Sequence, residues 1–245
     1  MSKHRMLLLI TVYVLVQLAF SQNEGATGSG PLTSVADKLK QHNIPTTKKA
    51  LVEALRNPDS EIRGLAALQL AESDVRSAIP DMVSAIAKET APRARINIAS
   101  ALSQLGEQKG FDVLRDTCKD ADLPGYLRTR AASYLLNVND SSCLGAVLTI
   151  LQNDADADSL IAALGLLPRF TNVSQADSRT MYALNVKALA NSTPAVRLVA
   201  SHTLVALGPG PALQDLARAV AAERDELVRT RMEEDLQRLQ EKKDH

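Results

Sequence analysis

The stretch from Pro58 to Glu72 reads PDSEIRGLAALQLAE, and diluted copies of it return about every thirty-two residues along the chain. Aligned on Arg63, the counterparts are Arg95, Arg128, Arg197 and Arg229, with a further unit aligned at Ser159. Seven residues after each comes a leucine: Leu70, Leu102, Leu135, Leu166, Leu204 and Leu236. Three residues after each stands Ala66, Ile98, Ala131, Ala162, Ala200 or Met232. The preceding position is apolar in Ile62, Ala94, Leu127, Val196 and Val228, and Asp158 departs from the rule. These three offsets fall on one stripe of a helix. The steps between units are 32, 33, 31, 38 and 32 residues, so insertions fall between units.

An earlier helix precedes each of these, led by Leu51, Ala54 and Leu55, by Met82, Ala85 and Ile86, or by Val147, Ile150 and Leu151. Between the two helices lies a turn rich in Pro and small polar residues, such as Asn57-Pro58-Asp59-Ser60 and Ser192-Thr193-Pro194. Proline suits the first turn of a helix, where its missing N–H has no intrahelical partner, and the Ser60 and Thr193 hydroxyls are expected to cap. The unit is therefore helix–turn–helix. One such hairpin cannot hide its apolar stripe alone, but stacked copies bury one another's. The expected fold class is all-α, an α-solenoid of about six repeats.

Composition agrees. Apolar residues make up 45% of the 245 but aromatics only 3%, with no Trp, so the core is built from Ala and Leu, which favours close helix packing over sheets. Lys plus Arg and Asp plus Glu number 28 each, which gives no sign of a nucleic-acid partner. Residues 1–21 carry a basic start, an apolar run from Met6 to Phe20 and a small-residue site at Ala19-Phe20-Ser21. They read as a secretory signal cleaved before Gln22, the run being shorter than the ~20 residues of a membrane span. Residues 22–32 read as a flexible leader. Residues 33–245 read as the solenoid, opened by a short helix to Gln41 and closed by a charged capping helix whose stripe is Val228, Met232, Leu236 and Leu239.

The segments Leu51–Glu72, Pro194–Gly208 and Leu127–Leu136 resemble the HEAT repeat family, in its short bacterial PBS-lyase HEAT-like form. The resemblance spans about Thr46 to Gln240. It implies first helices on a convex side and second helices lining a concave side. Some members act on bilin chromophores, and most are interaction scaffolds or adaptors. No functional residue carries over, because the motif consists of packing positions. The family pattern also implies that the recurrent Arg bridges neighbouring units through carbonyls or acids. Asp59 and Asp225, one turn earlier, are candidates for pairing with it. A basic stripe for an anionic partner is the alternative.

Chemistry-bearing patterns are sparse. His42 and His202 have no His or Cys partner at metal-ligand spacing, and Gly208-Pro209-Gly210-Pro211 lacks the residues of a phosphate loop. Asp154, Asp156 and Asp158 lie on a turn without the Gly and distal Glu of a calcium loop. No cofactor and no metal are expected. Parallel first helices would offset Cys118 from Cys143 by about six residues, or ~9 Å, beyond the ~7 Å that a bridge allows. Two buried free thiols are favoured over a bond. Asn139-Asp140-Ser141, Asn172-Val173-Ser174 and Asn191-Ser192-Thr193 have the form of glycan acceptors in loops.

The inner-face offsets give Asn97, Ser100 and Gln104, then Arg130, Ser133 and Asn137, as the candidate partner-binding surface. These residues are polar, and no aromatic anchor stands among them. The expected function is an exported, periplasmic or secreted, non-catalytic scaffold or adaptor. It would be monomeric and would bind a protein or peptide through the concave face. A lyase acting on a prosthetic group and a structural envelope spacer are the rivals.

Overall fold

The computed structural model describes residues 34–208 and 212–243. The expected signal, the leader, Thr33, Pro209 to Pro211 and His245 lie outside them. The described residues are helical and carry no strand. A short α1 (Val35–Gln41) precedes six hairpins: α2 (Lys48–Ala54) with α3 (Ser60–Glu72), α4 (Ile79–Lys88) with α5 (Pro92–Gln104), α6 (Gln108–Lys119) with α7 (Gly125–Asn137), α8 (Leu144–Asn153) with α9 (Ala157–Leu166), α10 (Gln175–Ala188) with α11 (Pro194–Leu207), and α12 (Ala212–Ala222) with α13 (Glu226–Lys243). They form two compact units, one running to Ala146 and the other from Val147 onward.

In the N-terminal unit α3 packs on α5 and α5 on α7, so second helices adjoin one another in chain order, as in an α-solenoid. In the C-terminal unit α9 packs on α11 and α11 on α13 in the same way. Leu70, Leu102, Leu135, Leu166 and Leu204 are fully enclosed, whereas Leu236 is half-buried and Leu239 takes the enclosed place on α13. Ala66, Ile98, Ala131, Ala200 and Met232 are fully buried beside them.

The fourth hairpin corrects the alignment by one residue. The recurrent Arg stands four residues after the N-cap in α3, α5, α7 and α11, whose caps are Asp59, Ala91, Pro124 and Thr193. The α9 cap is Asp156, which puts Leu160, not Ser159, at that position. Ser159, Ala163 and Leu167 then fill the stripe, all buried, while Ala162 is half-buried and Asp158 is exposed. The exception at Asp158 disappears. Asp156 takes the amide of Ser159 at 2.8 Å and its hydroxyl at 2.7 Å, which lets a serine sit in the interior.

Capping differs from expectation at two other starts. Asp59, not Ser60, caps α3 by accepting from the Glu61 amide at 2.8 Å, and Thr193 makes no side-chain cap. At the far ends the repeat uses a left-handed residue eleven positions after the alignment point: Asp74 (φ 47°), Gly106 (φ 80°) and Asn139 (φ 59°). The next amide then returns to the recurrent leucine, as Val75 to Leu70, Glu107 to Leu102 and Asp140 to Leu135, each at 2.9 Å. This closes the helix with a 6→1 bond and turns the chain toward the next hairpin. The leucine thus fills the core and accepts the closing bond.

Helix α5 is buried on every face. Ala94, Ile96 to Ser103 and Leu105 are all interior. Small residues allow this, and Gly110 on α6 shows how close the approach is. A Cβ there would stand 2.5 Å from both the Ala99 carbonyl and the Ser103 amide nitrogen.

Candidate functional site

Four of the five recurrent arginines, Arg63, Arg95, Arg128 and Arg197, bind groups within the repeat frame. Arg63 donates Nε and Nη2 to the two Glu89 oxygens at 2.7 and 2.8 Å, and Nη1 to the Asn57 and Pro58 carbonyls at 2.7 and 2.9 Å. Arg197 repeats the arrangement with Glu223 at 2.6 and 2.7 Å and with the Asn191 and Ser192 carbonyls at 2.9 and 3.1 Å. Each guanidinium therefore ties its own hairpin's turn to the carboxylate that ends the next hairpin's first helix. Asp59 and Asp225 are not the partners. They cap the starts of α3 and α13 instead. The Arg197 guanidinium brings the Glu223 carboxyl down to about 2, and Arg63 lowers that of Glu89. Arg95 and Arg128 bind a single carbonyl of their own first helix, Ile86 and Cys118.

The inner-face candidates divide. Asn97 is 7% exposed and Ser100 1% exposed, so both are interior rather than groove-lining, because α5 is covered on that side too. Gln104 is exposed and donates to the Ser100 hydroxyl at 3.2 Å. Arg130 and Ser133 are half-buried and Asn137 is exposed on α7. Asn97 and Arg130 are brought together: Asn97 Oδ1 accepts from Arg130 Nη2 and from the Tyr134 hydroxyl, each at 3.2 Å. The Arg130 guanidinium lies 5.6 Å from the Tyr134 ring centroid, within cation–π range.

Tyr126, Arg130 and Tyr134 recur every four residues and so share one face of α7. Tyr126 is one of two large apolar side chains exposed among the described residues, at 37%. Among those residues no carboxylate pairs with Arg130, and its Nε is enclosed without a partner. The inner-face offsets missed both tyrosines because they take positions two, five and nine after the Arg, not two before and six after. The i, i+4, i+8 spacing of Tyr, Arg and Tyr was the signal available.

Cys118 and Cys143 form a disulfide with Cα atoms 6.1 Å apart. The expectation of free thiols fails because Cys143 sits in the turn before α8, not within it. That turn folds along α6. Arg115 and Cys118, one turn apart on α6, hold Asp140 and Cys143, also three residues apart. The Arg115–Asp140 ion pair is at 2.6 Å.

In the C-terminal unit His202 meets buried Asp235 through Nδ1 at 2.6 Å. The Ser201 hydroxyl donates to the same carboxylate at 2.7 Å, and Arg238 reaches its other oxygen at 3.3 Å. Serine bonds aspartate here, not histidine, and Ser201 is fully enclosed, so the order of a nucleophilic relay is not met. Lys242 donates to the Val205 carbonyl at 2.7 Å and extends this polar seam between α11 and α13. Among the described residues no group of three or more His, Cys, Asp or Glu is placed to hold a metal. No helix among them is long and apolar enough to cross a membrane.

A family model described as HEAT repeats matches residues 48–136. Among curated proteins, no sequence matches the chain. Several solved structures are similar. The complex of CpcE and CpcF of phycocyanin lyase from Nostoc sp. PCC7120 shares 20% identity over 86% of this chain and 79% of that one, with a TM-score of 0.46. An engineered protein shares 20% identity over 78% and 96%, with a TM-score of 0.47. Human deoxyhypusine hydroxylase, in complex with glycerol, shares 16% over 97% and 99%, with a TM-score of 0.41. The matched stretch runs from α2 to α7.

Proposed function

We propose that the chain is an exported scaffold without catalysis of its own, binding a protein or peptide through the Tyr126–Arg130–Tyr134 face of α7. The single observation that supports it is a cation with no carboxylate partner set between two tyrosines on one helix face. Tyr and Arg dominate interface energetics, and a partner carboxylate would compensate Arg130. Tyr134 and Asn97 hold the guanidinium in place before any partner arrives, which lowers the ordering cost of binding. Export rests on the apolar run near the start of the sequence together with the Cys118–Cys143 bond, a pairing suited to oxidising compartments.

The test is cross-linking capture from envelope extract with the chain from Gln22 onward as bait. Arg130→Glu and Tyr126→Ala are expected to lose the partners that the parent captures, with Arg76→Glu as the surface control. Melting curves would confirm that the variants fold. An unchanged partner set in both variants, or no reproducible partner at all, would leave the spacer reading in its place.

A further inference from the structure

The C-terminal unit holds a groove of about 530 Å³ lined by α10, α11 and α12, within the ~300–1,000 Å³ range of ligand sites. Its floor is apolar, from Val186, Leu189 and Ala219. The N-terminal unit has the same groove in miniature, about 240 Å³, floored by Val52, Leu55 and Ala85. Every one of these residues lies 134 positions before its counterpart.

Four substitutions separate the two grooves. Arg56 and Lys88, which crowd the smaller groove, correspond to Ala190 and Ala222 in the larger. Thr90 corresponds to Arg224. Ser84 corresponds to Arg218, which pairs with Asp215. Room has been opened over the floor, and Arg224 adds a further cation at its rim. That cation is uncompensated. Asp215 is engaged by Arg218 and by the Tyr182 hydroxyl, and Glu223 by Arg197. Burial, and then Asp215, push the Tyr182 phenol above its ordinary range, so it stays a donor to that carboxylate. Arg224 is exposed, and no ion pair engages its guanidinium among the described residues.

We propose that this groove binds the free C-terminal end of a peptide or protein whose last residue is apolar. The terminal side chain lies on Val186, Ala190, Ala219 and Ala222, and the terminal carboxylate pairs with Arg224. Arginine presents a planar fork matched to a carboxylate. Arg218, whose exposed guanidinium keeps Nη1 donors beyond its bonds to Asp215 and the Gln214 carbonyl, suits the backbone carbonyls of a peptide, for which a fatty carboxylate has no counterpart. The site is separate from the α7 face and does not depend on its role.

Fluorescence anisotropy with the full chain and the labelled hexapeptide Gly-Ser-Glu-Ser-Ala-Leu tests it. Saturable binding is expected, weakened about tenfold or more when the peptide carboxylate is amidated, as loss of a charged hydrogen bond implies. Arg224→Ser should weaken it to a similar degree, with partial rescue in Arg224→Lys. Ala190→Arg with Ala222→Lys, which rebuilds the smaller groove, should abolish it. Arg130→Glu should leave it unchanged, so this test and the capture experiment fail independently. Equal binding of the amide, indifference to Arg224→Ser, or binding of dodecanoate but not peptide would overturn the proposal. So would self-association of the chain that disappears in Arg224→Ser.

Discussion

Residues 48–104 and 182–238 are the same design executed twice, 134 positions apart, and they differ in what fills the space around a common frame. Arg63 and Arg197 make the same four bonds to the same kinds of partner. Around that frame, Ala67, Leu68 and Ala101 on α3 and α5 correspond to Ser201, His202 and Asp235 on α11 and α13. Leu51 corresponds to Asn185, a buried side chain that donates to the Ala200 carbonyl at 3.1 Å. One copy is sealed by hydrocarbon and the other by a buried carboxylate with its donors. The second copy holds its polar seam because Ser201 and His202 both engage the buried Asp235 carboxylate, while Asn185 is half-satisfied, its amide donating and its Oδ1 enclosed without a partner.

The largest expected contrast is between equivalent leucines. Leu102 is fully enclosed and Leu236 half-buried, so Leu102→Ala should cost about 4 kcal/mol and Leu236→Ala less than about 2 kcal/mol by urea unfolding. Equal losses would mean that the two stripes are packed alike and that the contrast is false. The shared frame comes next. Arg63→Ala and Arg197→Ala should each cost roughly 3 kcal/mol, since each leaves an enclosed glutamate without its counter-charge. Acid acts on the same pairs. The Glu223 carboxyl is held at about 2 in the folded chain, below its ordinary value of 4.5, so its contribution is complete above about 4.5 and is lost as pH falls toward about 2. Glu89 shifts in the same sense. A pH titration of stability should fall through that window in the parent and flatten in a variant with both arginines replaced.

A third expectation concerns the N-terminal unit, where the disulfide spans 25 residues. Reduction, or Cys118→Ser with Cys143→Ser, should cost about 3 kcal/mol. Hydrogen exchange should quicken in 138–143 and along α6, with no comparable change in α10 to α13. The smallest effect sharpens the contrast between seams. Asp235→Ala strands the Ser201 hydroxyl and should cost about 1–2 kcal/mol, and adding Ser201→Ala, which copies the other seam, should recover most of it. A further loss in the double variant would show that the polar seam is not interchangeable with the apolar one.

Much of the frame was legible because it is periodic. Five leucines at one offset face the interior, and a helix stripe is the only structure that gives that spacing a purpose. The fourth hairpin misled by one residue because Ser159 looks polar and Leu166 looks like the repeat's leucine; the N-cap at Asp156 was the better ruler. The closing residues Asp74, Gly106 and Asn139 were legible in principle, since Asp, Gly and Asn tolerate the left-handed region at a constant offset. That position explains Asn139 by backbone geometry. Partners at a distance were not legible. The pairing of Arg63 with Glu89 crosses 26 residues, and nothing local distinguishes Glu89 from the other acids. Helix spacing groups Asn97, Ser100 and Arg130 but cannot say that the first two would be covered while Arg130 stays half-buried.

The middle of helix α5, Ile96 to Ser103, is wrapped by neighbours on all sides, with backbone close enough to α6 that only glycine fits at position 110. Water reaches its amides only if several hairpins part together. Its protons should therefore be the last in the N-terminal unit to exchange with solvent, and their rate would read out the unit's whole opening rather than any local breathing.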